Sequence, residues 1–364
     1  MGRPVNTPLR QMTDGQRQAS APDSYYPWFD WLRFVLANVV MLVHFGIIRG
    51  WSHAGDFAVQ AFFALSGWLI GGLLLEQSRS DLPRFFFNRA ARIWAPYYLA
   101  LLFLVSASLL REPATAKWLE IVFYKGTFVY NLFGTRQLAD HVKEMPLAGT
   151  GSHFWSVNAE EQFYLLAPLL LVVAAPRFGR NPITWAALAL CAYAFDIYAS
   201  IVFGVLAATL HRRFPDFHLR PLARVGLAGV LIAATPWLFA DHAYRYAAPW
   251  AAIAIVLLLA IRGTKHPGGT LAGGLSYPLY LNHWIGGFTA TVLLIPLGLR
   301  QSPVHPALSV ALAIGFAAAL YWWMERPLLA RRRQLHTPLR AKVTTGIAYT
   351  MVIVGVLVGI RFAV

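Results

Sequence analysis

Residues 31–48 read WLRFVLANVVMLVHFGII, an apolar run that contains two ionisable side chains, Arg33 and His44. At about 1.5 Å of rise per residue, these two residues lie roughly 16 Å apart along a helix. Their spacing is close to three full turns, so both side chains leave the same helix face. Ionisable groups inside a membrane span are costly and commonly line a site or a pathway. The structural alternative is a histidine satisfied by a neighbouring helix and an arginine that reaches the headgroups.

The composition of the chain is that of a polytopic helical membrane protein. Of its 364 residues, 57% are hydrophobic and 13% are charged, whereas soluble domains carry about 25% charged residues. The single cysteine excludes an internal disulfide and argues against a metal centre built on thiolates. We attribute the net charge of +15 to membrane topology rather than to nucleic-acid binding. No cleavable signal peptide is expected, so the first span is retained.

Apolar runs predict an all-α, polytopic transmembrane helical bundle of ten or eleven spans. The predicted spans are 31–48, 57–75, 93–110, 160–175, 183–195, 197–210, 225–240, 246–261, 271–296, 306–324 and 343–363. The runs 183–195 and 197–210 are each short enough to be halves of one span. Two spans are favoured, because eleven spans keep most arginines and lysines on the cytoplasmic side, together with the N-terminus.

The chain is expected to comprise three consecutive parts. These are a cytoplasmic N-terminal segment over residues 1–30, the main transmembrane domain over 31–342, and a final transmembrane helix over 343–364. The long connection at 111–159 is rich in aromatic residues, so we expect it to be partly helical and folded back over the membrane face.

A second candidate constellation is the stretch RFFFNRAAR at residues 84–92. Arg89 and Arg92 are three residues apart and share a helix face. Two guanidinium groups on one face can bind phosphates, such as those of coenzyme A. The alternative is that these arginines only set the membrane topology.

A third constellation is HFWSVNAEEQFY at residues 153–164, which leads into an apolar helix. Glu160 and Glu161 point about 100° apart, so at most one of them faces the centre of the bundle. One carboxylate could orient a histidine. A glutamate near the start of a helix also complements the helix dipole.

Three further stretches carry polar residues near or within apolar runs. In LSYPLYLNHW at 275–284, Asn282 and His283 could contact substrate, or His283 could be a hydrogen-bonded core histidine. The sequence ERP at 325–327 indicates a helix end with an ion pair. Ser66 does not lie in a nucleophile-elbow motif, and we expect it to serve small-residue helix packing.

Taken together and in order, these stretches resemble acyltransferase family 3 of membrane O-acyltransferases. The matching pieces are FDWLRFVLANVVMLVHFG, FFALSGWLIGGLLL, RFFFNRAARIWAPYYLALL, HFWSVNAEEQFYLLAPLLL, LSYPLYLNHW and ERP. The resemblance implies transfer of an acyl group, usually acetyl from acetyl-CoA, to a sugar hydroxyl of a polysaccharide or its lipid-linked precursor.

The family motifs fall on particular residues of this chain. The R-x₁₀-H motif falls on Arg33 and His44, and the RxxR motif on Arg89 and Arg92. The WSxxxEE motif falls on Trp155, Ser156, Glu160 and Glu161. The chain departs from the usual family sequence beside Asn158 and Asn282, which we expect to tune acceptor binding. No hydrolase-like domain that could relay the acyl group is expected.

The resulting hypothesis divides the site between a donor and an acceptor. Acyl-CoA is expected to place its phosphates on Arg33, Arg89 and Arg92, with the thioester near His44 at mid-membrane depth. His44 is the expected general base, with a covalent acyl-His44 intermediate as the alternative. Either Glu160 or Glu161 would orient the histidine or the hydroxyl. The expected substrate contacts are Trp155, Ser156, Asn158, Asn282 and His283.

The expected partners are acyl-CoA, membrane lipids and a glycan or lipid-linked oligosaccharide acceptor, with no metal and no nucleic acid. A xanthan-type exopolysaccharide repeat unit is the favoured acceptor, and the bacterial inner membrane is the expected location. Two alternatives remain at this stage: a glycan exporter or flippase without acyl transfer, and acylation of a small molecule such as a macrolide.

Overall fold

A computed structural model describes residues 25–174 and 176–363 of the chain, and within these residues the fold is helical without strands. Most of the predicted cytoplasmic segment lies outside the described residues. The longer helices are α1 Pro27–His44, α2 Ala54–Glu76, α3 Leu82–Leu109, α4 Ala116–Gly126, α5 Phe154–Pro168, α6 Pro182–Ala194, α7 Ala199–Arg213, α8 Pro221–Leu238, α9 Tyr244–Leu259, α10 Pro267–Leu294, α11 Val304–Leu320, α12 Arg326–Leu335 and α13 Pro338–Ala363.

The all-α polytopic bundle predicted from the apolar runs is confirmed, because each predicted span coincides with a helix. Within the described residues, six helical stretches are both long and apolar enough to cross a membrane. They are Ala54–Glu76, Arg79–Leu109, Phe154–Ala174, Pro221–Leu238, Val304–Leu335 and Pro338–Phe362. The helices α6 and α9 are apolar but shorter. The chain is therefore a multi-pass membrane protein.

The two short apolar runs that could have formed one span form two helices. Helix α6 ends at Ala194 and α7 begins at Ala199. Asp196 and Tyr198 between them adopt left-handed conformations, with φ of 55° and 48°. Because α6 and α7 pack against each other, the connection reverses the direction of the chain.

Small residues allow α2 and α7 to approach each other closely. A Cβ atom added at Gly67 would lie 2.1 Å from the Ile201 carbonyl oxygen, and one added at Gly204 would lie 2.3 Å from the Ala64 carbonyl oxygen. Side chains at these positions would hold the two backbones apart. The small-residue packing expected around Ser66 is thus provided by its neighbour Gly67.

The helix end expected at the ERP stretch is wrong. Helix α11 continues through a π-helical segment, Tyr321–Glu325, directly into α12. Pro327 lies in the first turn of α12, directly after the π-helical segment. The expected ion pair is also absent among the salt bridges of the described residues. Arg326 instead lies 4.4 Å from the centre of the Trp322 ring.

The connection between α3 and α5 is partly helical, as expected. It contains α4 and several shorter helical turns between Tyr130 and Glu144. Buried aromatic side chains of this connection, among them Trp118, Tyr124 and Tyr130, anchor it to the bundle. The Trp118 indole N–H donates a hydrogen bond of 2.8 Å to the Ser108 hydroxyl in α3. The segment that precedes α5 is therefore held in place by packing.

Candidate active site

The first of two neighbouring cavities, the arginine cavity, has a volume of about 320 Å³ and is lined by residues of α1, α2, α3, α5 and α10. Its polar wall contains Arg33, Arg89, Arg92, Ser66, Glu160, Tyr164, Ser156, Tyr277 and Tyr280. One face of α2 forms its apolar wall, from Val59 to Leu73. At about 1.5 Å per residue these two positions lie roughly 21 Å apart. The cavity is therefore elongated along α2.

The arginine cavity carries guanidinium groups with few protein partners. Arg33 forms an ion pair of 3.0 Å with Asp30 one turn earlier in α1. Arg89 lies 5.8 Å from the centre of the Tyr164 ring. The Arg89 Nε atom is buried and has no hydrogen-bond partner among the described residues. A buried donor without an acceptor is costly, so this wall of the cavity is suited to an anionic ligand.

The two adjacent glutamates face different surroundings, as their angular separation on a helix predicts. Glu160 lines the arginine cavity, where one of its carboxylate oxygens accepts hydrogen bonds from the hydroxyl groups of Ser66 and Tyr164. Glu161 is buried away from that wall and accepts a hydrogen bond of 3.2 Å from the Trp94 indole. Neither glutamate is hydrogen-bonded to His44.

The second cavity, which we call the histidine cavity, has a volume of about 210 Å³. It is lined by His44, His153, Asp56, Trp155 and Tyr280, among others. His44 is the last residue of α1, and its side chain is exposed. The imidazole thus lies at one end of α1 and is accessible from the histidine cavity.

The histidine cavity adjoins a histidine cluster formed by His44, His153 and His283. The ring centres of His44 and His283 lie 4.9 Å apart, those of His153 and His283 lie 4.5 Å apart, and those of His44 and His153 lie 5.7 Å apart. His283 and His153 are buried. Burial and the neighbouring imidazoles hold the pKa of His153 well below its usual range, so its ring is neutral.

Backbone carbonyl groups, and not carboxylates, orient the rings of this cluster. His44 Nδ1–H donates to the Val40 carbonyl at 2.8 Å. His283 Nδ1–H donates to the Tyr280 carbonyl at 2.8 Å. Because a carbonyl oxygen can only accept, Nδ1 of His44 carries the proton and Nε2 is free to accept one. The orienting role expected of a glutamate is thus filled by Val40.

The segment before α5 places His153 in the cluster. Gly149 and Gly151 have φ of 80° and 75°, a region that favours glycine. The buried Lys125 ammonium donates hydrogen bonds of 3.2 and 3.0 Å to the Thr150 and Gly151 carbonyl oxygens. Burial lowers the pKa of Lys125 to about 7. Lys125 therefore fixes the loop that carries His153, a role that its sequence context did not suggest.

Val59 and Tyr280 line both cavities and form a shared wall. The Tyr280 and Ser156 hydroxyl oxygens lie 2.5 Å apart. Both hydroxyls also lie near the His153 carbonyl oxygen, at 3.2 Å and 3.1 Å respectively. This network connects the polar end of the shared wall to the backbone of the histidine cluster.

Three of the expected substrate contacts, Asn158, Asn282 and His283, are buried and line neither of these cavities. Asn158 is fully buried, accepts a hydrogen bond from the Tyr130 backbone N–H at 3.0 Å and donates to the Tyr97 hydroxyl at 2.8 Å. Asn282 is buried and donates to the Pro278 carbonyl at 3.1 Å. The amide of Asn158 is satisfied by protein groups, so the expected acceptor contact there is replaced by a structural role.

The other two expected substrate contacts line the cavities, together with several residues that the sequence interpretation did not assign. Trp155 lines the histidine cavity and Ser156 the arginine cavity. The residues that were missed are Asp56, Ser66, His153, Tyr164 and Tyr280. The sequence spacing of these residues could not predict that they line a cavity, because each cavity wall combines residues from several helices.

The fold and site are thus those of a multi-pass membrane protein with an arginine-lined cavity and, across a shared wall, the accessible imidazole of His44. The sequence pattern of the acyltransferase domain that defines acyltransferase family 3 matches residues 26–323. The chain therefore belongs to acyltransferase family 3, as its motifs predicted, and is a membrane O-acyltransferase.

Relatives of the chain carry names that agree with this assignment. The chain is 27% identical over 294 residues to the putative membrane-bound transacylase BcsY of Komagataeibacter xylinus, covering 73% of this chain and 74% of that protein. It is 29% identical over 163 residues to the peptidoglycan O-acetyltransferase OatA of Listeria monocytogenes, covering 43% of this chain but 26% of that protein. The O-acetyltransferase OatA of Staphylococcus aureus is 27% identical over 163 residues, covering 42% of this chain and 26% of that protein. No solved structure matches the chain.

Proposed function

We propose that the protein transfers an acetyl group from acetyl-CoA to a glycan hydroxyl, with the donor in the arginine cavity and the acceptor entering through the histidine cavity. The observation that carries this proposal is the pair of cavities that share the wall at Val59 and Tyr280. The elongated arginine cavity suits an extended thioester arm. The smaller histidine cavity offers an accessible imidazole to a hydroxyl.

The arginine cavity provides the donor site. Arg89 and Arg92, with Arg33, bind the phosphate groups of the donor through charge-assisted hydrogen bonds. Glu160 limits the net positive charge of the cavity and is itself held by Ser66 and Tyr164. In this proposal Glu160 tunes donor binding, and Glu161 supports α3 through Trp94.

His44 acts as the general base on the acceptor side. Its free Nε2 removes the proton of the sugar hydroxyl as the hydroxyl oxygen attacks the thioester carbonyl carbon. The new C–O ester bond forms, the C–S bond breaks, and the coenzyme A thiolate takes the proton from the imidazolium. The thioester lies beside Tyr280, where the two cavities meet. Direct transfer requires no acyl-enzyme, although an acyl-His44 intermediate would use the same nitrogen.

A cluster of basic side chains beside the arginine cavity supports an orientation for the two cavities. Arg332 has Arg84, Arg89, Arg92 and Arg333 as charged neighbours, and the positive-inside rule assigns such a cluster of arginines to the cytoplasmic side. The N-terminus would then be cytoplasmic, and the histidine cavity would open to the other side of a bacterial inner membrane. A cytosolic donor and an external glycan, such as an exopolysaccharide repeat unit, would meet within the bundle.

The test is acetyl transfer by the purified full-length protein with radiolabelled acetyl-CoA and a lipid-linked oligosaccharide. We expect label in the glycan with the unaltered protein and none with His44→Ala. His305→Ala, a change outside both cavities, is the matched control and should retain transfer. Substantial transfer by His44→Ala would eliminate this histidine as the base. Absence of both donor binding and transfer by the unaltered protein would refute the donor assignment.

A further inference from the structure

The histidine cluster has the geometry of an open metal-binding site in addition to its place beside the histidine cavity. His44 ends α1, His153 precedes α5, and His283 lies within α10. Each histidine offers one ring nitrogen, and these three nitrogens all lie within 4.8 Å of one another. Three imidazoles, two from helices and one from the residue before α5, thus approach one point, where a single ligand can contact them all.

The hydrogen bonds of the cluster leave one nitrogen of each ring available. His44 and His283 use Nδ1–H to donate to backbone carbonyl groups, and His153 uses Nε2–H to donate to the Leu281 carbonyl at 3.2 Å. Nε2 of His44, Nδ1 of His153 and Nε2 of His283 therefore carry lone pairs. Histidines that bind metals commonly donate their second N–H to a carbonyl in this manner, which fixes the tautomer and the ring orientation.

The dimensions of the cluster suit a small divalent transition-metal ion. Zinc–nitrogen bonds of about 2.0–2.1 Å in tetrahedral geometry place the ligand nitrogens about 3.4 Å apart. The three rings each offer one nitrogen within 4.8 Å of the others, and rotation of the rings is needed to bring the lone-pair nitrogens to the shorter spacing. The histidine cavity borders His44 and His153 and leaves room for water at a fourth position. Imidazole nitrogen is a preferred ligand of zinc, copper and nickel, whereas magnesium and calcium prefer oxygen.

We propose that His44, His153 and His283 bind a single Zn²⁺ ion, and that the bound ion inhibits acetyl transfer. Coordination occupies the lone pair of His44 Nε2, which can then no longer accept the proton of the acceptor hydroxyl. The inhibitory part rests on the proposed role of His44 as the general base. The metal site itself stands on the geometry of the three rings and is independent of that role.

Metal binding is tested on the purified full-length protein after removal of metals with EDTA. Titration with Co²⁺ should give one bound ion per chain, with the visible absorption of a four-coordinate site, and Zn²⁺ should displace it. His153→Gln and His283→Gln should each weaken ion binding by at least about 10- to 100-fold. Removing a residue that only hydrogen-bonds to a metal ligand already costs this much affinity. His305→Gln is the matched control and should bind the ion normally.

A second measurement separates this inference from the proposed function. Acetyl transfer by the EDTA-treated protein should be inhibited by Zn²⁺ and restored by EDTA. No ion binding, or binding unchanged in both His153→Gln and His283→Gln, would overturn the metal site and leave the acyltransferase proposal intact. Transfer that requires Zn²⁺ would support the site but overturn both the inhibition and the role of His44 as a free base.

Discussion

Replacing Arg89 by methionine should weaken donor binding and stabilise the empty protein at the same time. Arg89 Nε is buried without a partner among the described residues. Charge-assisted hydrogen bonds contribute about 1.5–3 kcal/mol each, and every 1.4 kcal/mol is about tenfold in affinity. Losing this contact should raise the KM for acetyl-CoA by about 10- to 100-fold. The kcat at saturating donor should be nearly unchanged, because the phosphates do not react.

The empty protein should respond in the opposite direction. A buried donor without a partner costs about 1–3 kcal/mol, and Arg89→Met removes that cost while keeping a side chain of similar length. Thermal unfolding in detergent should therefore occur at a higher temperature for the variant without ligand, and coenzyme A should stabilise it less than it stabilises the unaltered protein. Arg213→Met, an exposed change at the end of α7, should alter neither quantity. An unchanged KM, or a less stable empty variant, would refute the reasoning.

Three further changes test other parts of the site and fold. Glu160→Gln removes a negative charge beside the arginines and should lower the KM for acetyl-CoA by up to about fivefold, the effect of a partly screened charge pair; a collapse of kcat would instead make Glu160 a catalytic acid or base. Gly67→Ala should destabilise the protein by about 1–3 kcal/mol in thermal unfolding through overpacking, whereas Gly72→Ala, with nothing within 4 Å of its Cβ, should not. The pKa of Lys125 is about 7 in the folded protein and ordinarily 10.5, so between these pH values the unfolded chain binds more protons than the folded one. The stability of the unaltered protein relative to Lys125→Met should therefore rise with pH by up to about 1.4 kcal/mol per pH unit. A stability difference that stays constant with pH would contradict the burial of this amine.

The features that the sequence predicted correctly depend on short stretches of chain. Each predicted span contains enough apolar residues to favour a buried or membrane helix, and each is observed as one. Arg89 and Arg92 line the same cavity because three residues along a helix return to the same face. The angle between adjacent helical residues likewise predicted that only one of Glu160 and Glu161 would face the cavity.

The features that could not be predicted depend on how distant helices pack. Asn158 is satisfied by Tyr130 and Tyr97, which lie 28 and 61 residues away along the chain. His153 joins His44 and His283 only because α1, α5 and α10 meet at one end of the bundle. The continuation of α11 through Glu325 was missed because a π-helical segment leaves no clear mark in the pattern of apolar residues.

The spacing of Arg33 and His44 acquires a physical meaning once both cavities are known. Arg33 lines one cavity and His44 the other, so in the proposed mechanism α1 sets the distance between phosphate binding and proton transfer. A separation of close to three turns keeps both side chains on one helix face, roughly 16 Å apart. A separation one residue shorter or longer would turn His44 by about 100° relative to Arg33. The imidazole would then leave the histidine cavity while the arginine stayed in place. The motif thus fixes both the distance along the helix and the angle around it, and Tyr280, which lines both cavities, lies where the proposed mechanism brings donor and acceptor together.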